Sequence, residues 1–421
     1  MTGITTTPHV AVIGGGPAGL TLARVLHVHG VAATVYEREP SRDARVQGGT
    51  LDLHGDTGRR AVREAGLDTE FWAKARPEGE DFRLLDKHGT VHSAFDTGRP
   101  AGEGAGTEAG EGRGARPGAP GNANSPDEDG APEIDRGDLR ALLLDSLPPA
   151  TVRWGHRLDR AEPLGDGRHR LHFDNGTVET CDLLVGAEGA RSRVRPLLTG
   201  TEPRYTGVSL VELGIPDADR TAPGAAAFVG NGSLYAFQDN KGLALQRNSD
   251  GRIRIYAFYR SAESWLESAG LSEQDPVRTR AAVARHFADW APEFRSALAA
   301  CDDSLRAQRL DMLPVGLTWR RAPGVTLVGD AAHLMSPFAG KGVNLAMWDA
   351  AELALAVAPV LADERWEAGA LDAAIAGYEK AMFERGAFWA GISALNLDRL
   401  VAPDGHENLD VMLGPPPGAE G

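Results

Sequence analysis

Val10-Ala11-Val12-Ile13-Gly14-Gly15-Gly16-Pro17-Ala18-Gly19-Leu20 decides how this 421-residue chain is read. Four apolar residues suit a buried parallel strand. They run into Gly14-x-Gly16-x-x-Gly19 and then into Leu20-Thr21-Leu22-Ala23-Arg24-Val25-Leu26, which has helical spacing. The first glycine makes the tight turn, the second lets a pyrophosphate approach the backbone, and the third lets helix and strand pack closely. Free N–H groups and the helix dipole then favour phosphate. Ala33-Thr34-Val35-Tyr36 reads as a second strand and ends in Glu37, 18 residues past Gly19, where a carboxylate can accept hydrogen bonds from a ribose. A lone glycine triplet is weak evidence; strand, helix, second strand and acid in order point to a dinucleotide site. The acid disfavours a 2′-phosphate, which leaves FAD and NAD open.

Three further stretches carry polar groups in patterns that packing alone does not require. The loop Arg42-Asp43-Ala44-Arg45-Val46-Gln47-Gly48-Gly49-Thr50-Leu51-Asp52-Leu53-His54 is either a solvated turn or a cationic loop beside the nucleotide. In the second reading Arg45 reaches a phosphate and Asp52 accepts from a ribose or a ring N–H. In Ile134-Asp135-Arg136-Gly137-Asp138-Leu139-Arg140, the leucines make one helical face and Arg136 and Arg140 lie one turn apart on another. Finally Val325-Thr326-Leu327-Val328-Gly329-Asp330 is a buried strand that delivers a carboxylate. Pro337, Phe338, Gly340 and Gly342 follow in a kinked loop, and a helix starts near Val343. Asp330 is there a helix cap or a ligand for a polyol. The new helix dipole suits the N1–C2=O edge of a flavin.

The rest of the chain sorts by periodicity. Residues 57–75 suit a helix, 82–95 a hairpin, and 151–154 and 170–173 strands. Residues 182–195 suit a buried strand, a glycine turn and a basic segment. From 205 to 260 alternating strands build an antiparallel sheet with one apolar face. One or two helices fall over 276–300, and helical sequence continues from 343 to about 400. Residues 99–132 hold nine glycines, five prolines and no aromatic or large aliphatic residue, so they read as a disordered insert whose deletion leaves folding unchanged.

Apolar residues make up 42% and charged residues 24%, and the net charge is −15. That balance argues for a globular chain and against nucleic acid or an anionic membrane as partner. Cys181 and Cys301 offer no disulfide framework or metal-ligand set, so a reducing cytoplasm and no metal are expected. The apolar run 353–361 is too short to span a bilayer.

Four motifs, in this order, resemble the single-component flavoprotein aromatic hydroxylases of the para-hydroxybenzoate hydroxylase type. They are Gly14 to Gly19 with Glu37, Arg136-x-x-Leu139-x-x-x-Leu143, the strand and turn at 182–195, and Gly329-Asp330 with Gly340 to Asn344. Ala44-Arg45-x-x-Gly48-Gly49-Thr50-Leu51-Asp52-Leu53-His54 and Gly329 to Asn344 are closest to the tetracycline-inactivating branch of that family. The resemblance implies an α/β fold: a Rossmann-like FAD-binding domain interleaved with an antiparallel-sheet substrate domain, plus a long C-terminal helix. The expected bounds are 8–67, 133–203 and 300–355 for the FAD domain, 68–98 and 204–299 for the substrate domain, and 356–421 for the helix and tail.

It further implies bound FAD, with NADPH and O2 as transient reactants and a polycyclic phenol or enol, tetracycline above all, as substrate of a monomeric protein. Cofactor contacts are expected at Gly14, Gly16, Gly19, Glu37, Arg38, Arg45, Asp52, Arg136, Arg140, Asp330, Gly340, Gly342, Val343 and Asn344, with Arg45 where NADPH docks. Gln238, Arg260, Pro337 and Phe338 are expected to line the substrate pocket. No catalytic side chain is required, because the cofactor carries the chemistry; His333, near Asp330, reads as a packed histidine rather than a base. Glu188-Gly189 stands where relatives have Asp-Gly, and Lys341 where glutamine is common. Alternatives are a tailoring hydroxylase of aromatic polyketides and a non-oxygenating flavin reductase or flavin-binding protein. The lack of Cys-x-x-Cys disfavours a disulfide reductase.

Overall fold

The computed structural model describes residues 8–44, 48–96 and 130–413. Val10–Ile13 lies inside a five-stranded parallel sheet, between Leu183–Gly186 and Ala33–Tyr36, with Val325–Leu327 and Val152–Arg153 at the two edges. All four residues of Val10–Ile13 and of Leu183–Gly186 are buried, as a parallel sheet covered on both faces demands. Helices Pro17–Val28 and Gly342–Leu361 pack together against this sheet. The C-terminal helix Ala368–Leu400 then crosses Gly342–Leu361.

A second, seven-stranded sheet runs Arg306–Met312, Arg204–Ile215, Ile253–Arg260, Lys241–Arg247, Ser233–Gln238, Phe82–Leu85, Val91–Phe95. Neighbours are antiparallel except Ser233–Gln238 with Phe82–Leu85. Side chains alternate across it. Leu234, Ala236, Leu243, Leu245, Ile253 and Ile255 join a core with Phe287, Trp290 and Phe294. The opposite face, with Tyr235, Phe237, Tyr256 and Phe258, looks back toward the nucleotide sheet across a cavity. The architecture is thus the mixed α/β fold with a long C-terminal helix that the sequence implies.

Several elements differ from expectation. The helix over 57–75 is two pieces, Gly58–Glu64 and Asp68–Trp72, broken at Gly66 with φ +66°. Residues 218–229 form two short helices inside the stretch read as all strand, and Arg306–Met312 is a strand that periodicity does not announce. Most of the Gly/Pro-rich stretch, 97–129, lies outside the described residues. Its last residues are not loose: Ala131 is 4% exposed, and Pro132 O accepts a hydrogen bond from Leu53 N. Gly342–Leu361 is long and apolar enough to cross a membrane, but 67% of its most apolar 18-residue stretch is buried in the fold, where it serves as a core helix.

Candidate active site

Both sheets contribute to one cavity of about 1890 Å3. Single small-molecule pockets run to roughly 1000 Å3, so this space suits two occupants. The glycine turn sits at one end. Gly14 has φ +107°, and a Cβ there would lie 2.5 Å from Ala187 O; one at Gly19 would lie 2.0 Å from Gly14 O. A Cβ at Gly16 would meet nothing within 4 Å. Two glycines therefore serve the fold, and Gly16 alone opens its backbone to a ligand. The helix behind it, Pro17–Val28, has no acidic residue in its first turn, so its free N–H groups and dipole meet the cavity uncompensated.

Glu37 is 8% exposed at the end of its strand. One carboxylate oxygen accepts from Gly15 N at 2.6 Å and the other from Glu39 N at 2.9 Å. This fixes the carboxylate against the turn and leaves lone pairs for further donors. Arg38 and Arg140 line the same end; Arg140 Nη1 donates to Arg42 O at 2.8 Å, and its guanidinium lies 5.3 Å from the Trp154 ring centroid. Glu188 holds the turn after Leu183–Gly186. Its Oε1 accepts from Arg193 N at 2.8 Å and Val194 N at 3.0 Å, while Oε2 is buried without a partner among the described residues. Burial raises its pKa.

Further along, Asp52, Arg136, Asp330 and the segment Gly340, Lys341, Gly342 and Val343 meet in the cavity wall. Burial raises the Asp330 pKa; the charges of Arg136 and His333 oppose this. Gly340 adopts the left-handed φ of +65° and ends the short turn Pro337–Ala339. Helix Gly342–Leu361 then starts with no acid in its first turn. Asn344 does not face the cavity. Its Oδ1 accepts from His54 N at 2.9 Å and Gly58 N at 3.2 Å, and its Nδ2 donates to Asp52 O at 2.8 Å. It ties the Asp52 loop to the new helix. Gly19 likewise lies behind the cavity rather than in its wall, and Arg45 lies outside the described residues.

The sheet wall reads in transverse rows fixed by strand register. Phe237, Gly242, Phe258, Leu210 and Gln308 form one row. Tyr235, Ala244, Tyr256, Glu212 and Arg306 form the next, then Ser233, Gln246 and Arg254. Phe338 joins the first row, with ring centroids 5.7 Å from Phe237 and 5.0 Å from Phe258. The C-terminal helix holds it there: Asn396 Nδ2 donates to Phe338 O at 2.9 Å, and the Ser336 and Ser393 hydroxyls are 2.6 Å apart.

Two expected substrate contacts are elsewhere. Gln238 follows Phe237 by one residue and so points to the opposite face, where its Oε1 accepts from Lys87 N at 3.4 Å. Arg260 shares the face of Phe258 but lies past the end of the cavity. Its guanidinium donates to Val401 O at 2.6 Å and pairs with Asp398 at 3.2 Å, so it anchors the end of the C-terminal helix. Pro337 and Phe338 do line the cavity, and Tyr235, Gln246, Arg254 and Tyr256 are wall residues that the sequence reading missed. His333 is also turned away: it is 2.5 Å from Asp349 in a buried pair flanked by the half-buried Arg385 and Glu352.

An open glycine turn, two bare helix N-termini and a buried carboxylate define a site for a long, phosphate-bearing cofactor with a polyol and a ring, which fits FAD. The chain belongs to the FAD binding domain family, whose pattern matches residues 7–375, and it is an FAD-dependent monooxygenase of the aromatic-hydroxylase class. It is 29% identical over 454 residues to the monooxygenase penA of Penicillium thymicola, covering 96% of this chain and 98% of that one. Among solved structures, HpxO of Klebsiella pneumoniae, complexed with FAD and uric acid, matches with TM-score 0.74 at 20% identity, over 98% of this chain and 99% of that chain. The tetracycline destructase Tet(55) matches with TM-score 0.67 at 18% identity, over 97% and 96%. Likeness at these identities shows the fold alone.

Proposed function

We propose that this protein uses FAD, NADPH and O2 to hydroxylate a polycyclic phenol or enol, with tetracycline as the first candidate. The observation that carries the reading is the single cavity with a cofactor cradle on one side and an aromatic, hydrogen-bonding sheet face on the other. When bound and reduced, FAD supplies activated oxygen to an electron-rich carbon. The chain's own residues bind, orient and exclude water. Gly16 and the N-terminus of Pro17–Val28 would hold the pyrophosphate, Glu37 a ribose, and Asp330 the ribityl chain. The N–H groups of Gly342 and Val343 would stabilise negative charge on the ring edge. Phe237, Phe258 and Phe338 close one end of the space, and a dry site suppresses wasteful peroxide release. Arg38 and Arg140 would meet phosphate groups. An electron-rich substrate that is already acidic needs little help from a base, which agrees with His333 being committed to Asp349.

The resemblance of the 44–54 and 329–344 strings supports tetracycline as substrate. The test is NADPH oxidation by the FAD-loaded protein with and without tetracycline, with mass spectrometry of the product. Stimulated oxidation and addition of one oxygen atom are expected; the absence of both rules out tetracycline as the substrate. Anthraquinones in the same assay test a tailoring hydroxylase.

A further inference from the structure

Two phenylalanines meet over a glycine at the closed end of the substrate space. Phe237, Gly242 and Phe258 stand in register on Ser233–Gln238, Lys241–Arg247 and Ile253–Arg260. Neighbouring strands lie about 4.8 Å apart, so the backbones that carry the two phenylalanines are separated by roughly 9–10 Å. Their ring centroids are nevertheless 5.9 Å apart. The rings lean toward each other across the middle strand, and they use the room of the side chain that Gly242 lacks. A Cβ there would lie 2.1 Å from Phe237 Cδ1 and 2.4 Å from its Cε1. Backbone geometry does not call for glycine at this place: Gly242 lies inside a strand and has no positive φ. The ring above it is what excludes a side chain, the close approach that a glycine within a strand often marks. One row along, Ala244 stands between Tyr235 and Tyr256.

Phe237 has few ways to yield. It is 1% exposed. Phe258 is beside it, Phe338 stands 5.7 Å away, and a Cβ at Gly405 would lie 3.3 Å from the Phe237 Cβ. Its open side is the cavity, whose wall it helps to form. A methyl group at position 242 therefore drives the ring into the substrate space.

We propose that Gly242 sets the length of the substrate space. By letting Phe237 fold down over the sheet it admits several fused rings, whereas any side chain at this position leaves room for a shorter substrate only. Gly242 touches no substrate and acts through Phe237, as a positioning residue. This rests on the hydroxylase reading above and adds the residue that fixes the size of its substrate.

The experiment uses the full-length, FAD-loaded, oxidised protein without NADPH. Three probes, phenol, 2-naphthol and 2-anthrol, differ only in their number of fused rings, and binding is followed by perturbation of the flavin absorbance. The wild-type protein is expected to bind about ten-fold more tightly with each added ring. Gly242→Ala should leave phenol binding in place and weaken 2-anthrol binding by about ten-fold or more, the gain from one ring. Phe237→Ala clears the same end, so adding it to Gly242→Ala should restore the preference for 2-anthrol. Flavin colour retained after gel filtration reports folding. Phe237→Trp enlarges the ring over an unchanged glycine; it should weaken 2-anthrol binding likewise and carries the test if Gly242→Ala loses its flavin. A ratio of 2-anthrol to phenol affinity that neither variant changes overturns the inference. So does an equal loss for all three probes, which is what a glycine needed only for folding would give. A wild-type protein that binds none of the probes removes the hydroxylase reading and this inference with it, whereas wild-type binding with an unchanged ratio in the variants removes this inference alone.

Discussion

A methyl group added at Gly19 would lie 2.0 Å from Gly14 O, whereas one added at Gly16 would meet no protein atom within 4 Å. Gly19→Ala is therefore expected to destabilise the FAD-free protein by about 1–3 kcal/mol, the usual cost of overpacking. Gly16→Ala should leave its thermal unfolding unchanged and weaken FAD binding. Thermal scans of the FAD-free proteins and FAD titrations separate the two; equal behaviour would contradict the assignment of Gly16 to the ligand. Asp330 shows the opposing demands of fold and site. Burial raises its pKa. A raised carboxylate pKa favours folding while the group is protonated, below the unfolded value of 3.8, and that contribution is lost as pH rises through the folded value. At pH 7 the ionised carboxylate thus costs stability. Asp330→Asn is expected to raise the melting temperature of the FAD-free protein at pH 7 and to weaken FAD binding, a trade common at functional sites. A lower melting temperature would show that the carboxylate serves the fold.

Elements meet at the buried pair His333 and Asp349, with Arg385 and Glu352 beside it, which ties the short helix Asp330–His333 to Gly342–Leu361 and Ala368–Leu400. Desolvation lowers the His333 pKa, but Asp349 outweighs it and the net shift is upward; desolvation raises the Asp349 pKa, but His333 and Arg385 outweigh it and the net shift is downward. The His333 contribution is full below 6.5 and lost as pH rises through its raised value. The Asp349 contribution is full above 3.8 and lost as pH falls through its lowered value. Both act between those two values. His333→Gln is expected to cost about 3–5 kcal/mol there, as for any buried pair with one partner removed, and less above the raised histidine value. Urea unfolding at pH 5.5 and pH 9 measures the difference; a constant cost would mean that packing alone is lost.

Elements also show where the sequence was readable. The parallel strands Val10–Ile13, Leu183–Gly186 and Val325–Leu327 were legible because buried apolar runs end in glycine turns. Helix Arg136–Asp145 was legible because its leucines recur at helical spacing and its arginines share another face. Arg306–Met312, Arg-Ala-Gln-Arg-Leu-Asp-Met, was not, because it is mostly half-exposed and its polar residues follow no clean alternation. The cavity side of the sheet was misjudged at Gln238 for a related reason. A slip of one residue turns a side chain to the other face, and only the register with Lys241–Arg247 and the helices behind decides which face is wet. Arg260 needed the position of the C-terminal helix end, which no local pattern encodes.

At the scale of the whole molecule, most residues at the glycine-turn end of the cavity were legible and the sheet wall was not. Glycines, an acid at fixed spacing and helix starts are local signals, while the wall is assembled from register among five strands and from the turn that Asn396 holds. The cavity is bounded by residues from Ile13 at one end of the chain to Met412 at the other. A nascent polypeptide emerging from the ribosome therefore presents its glycine fingerprint long before the carboxylate of Asp330 or the closing segment exists. Tight FAD capture has to wait until the segments carrying Asp330 and Met412 have been made, and any cofactor met earlier can be held only by the glycine turn and Glu37.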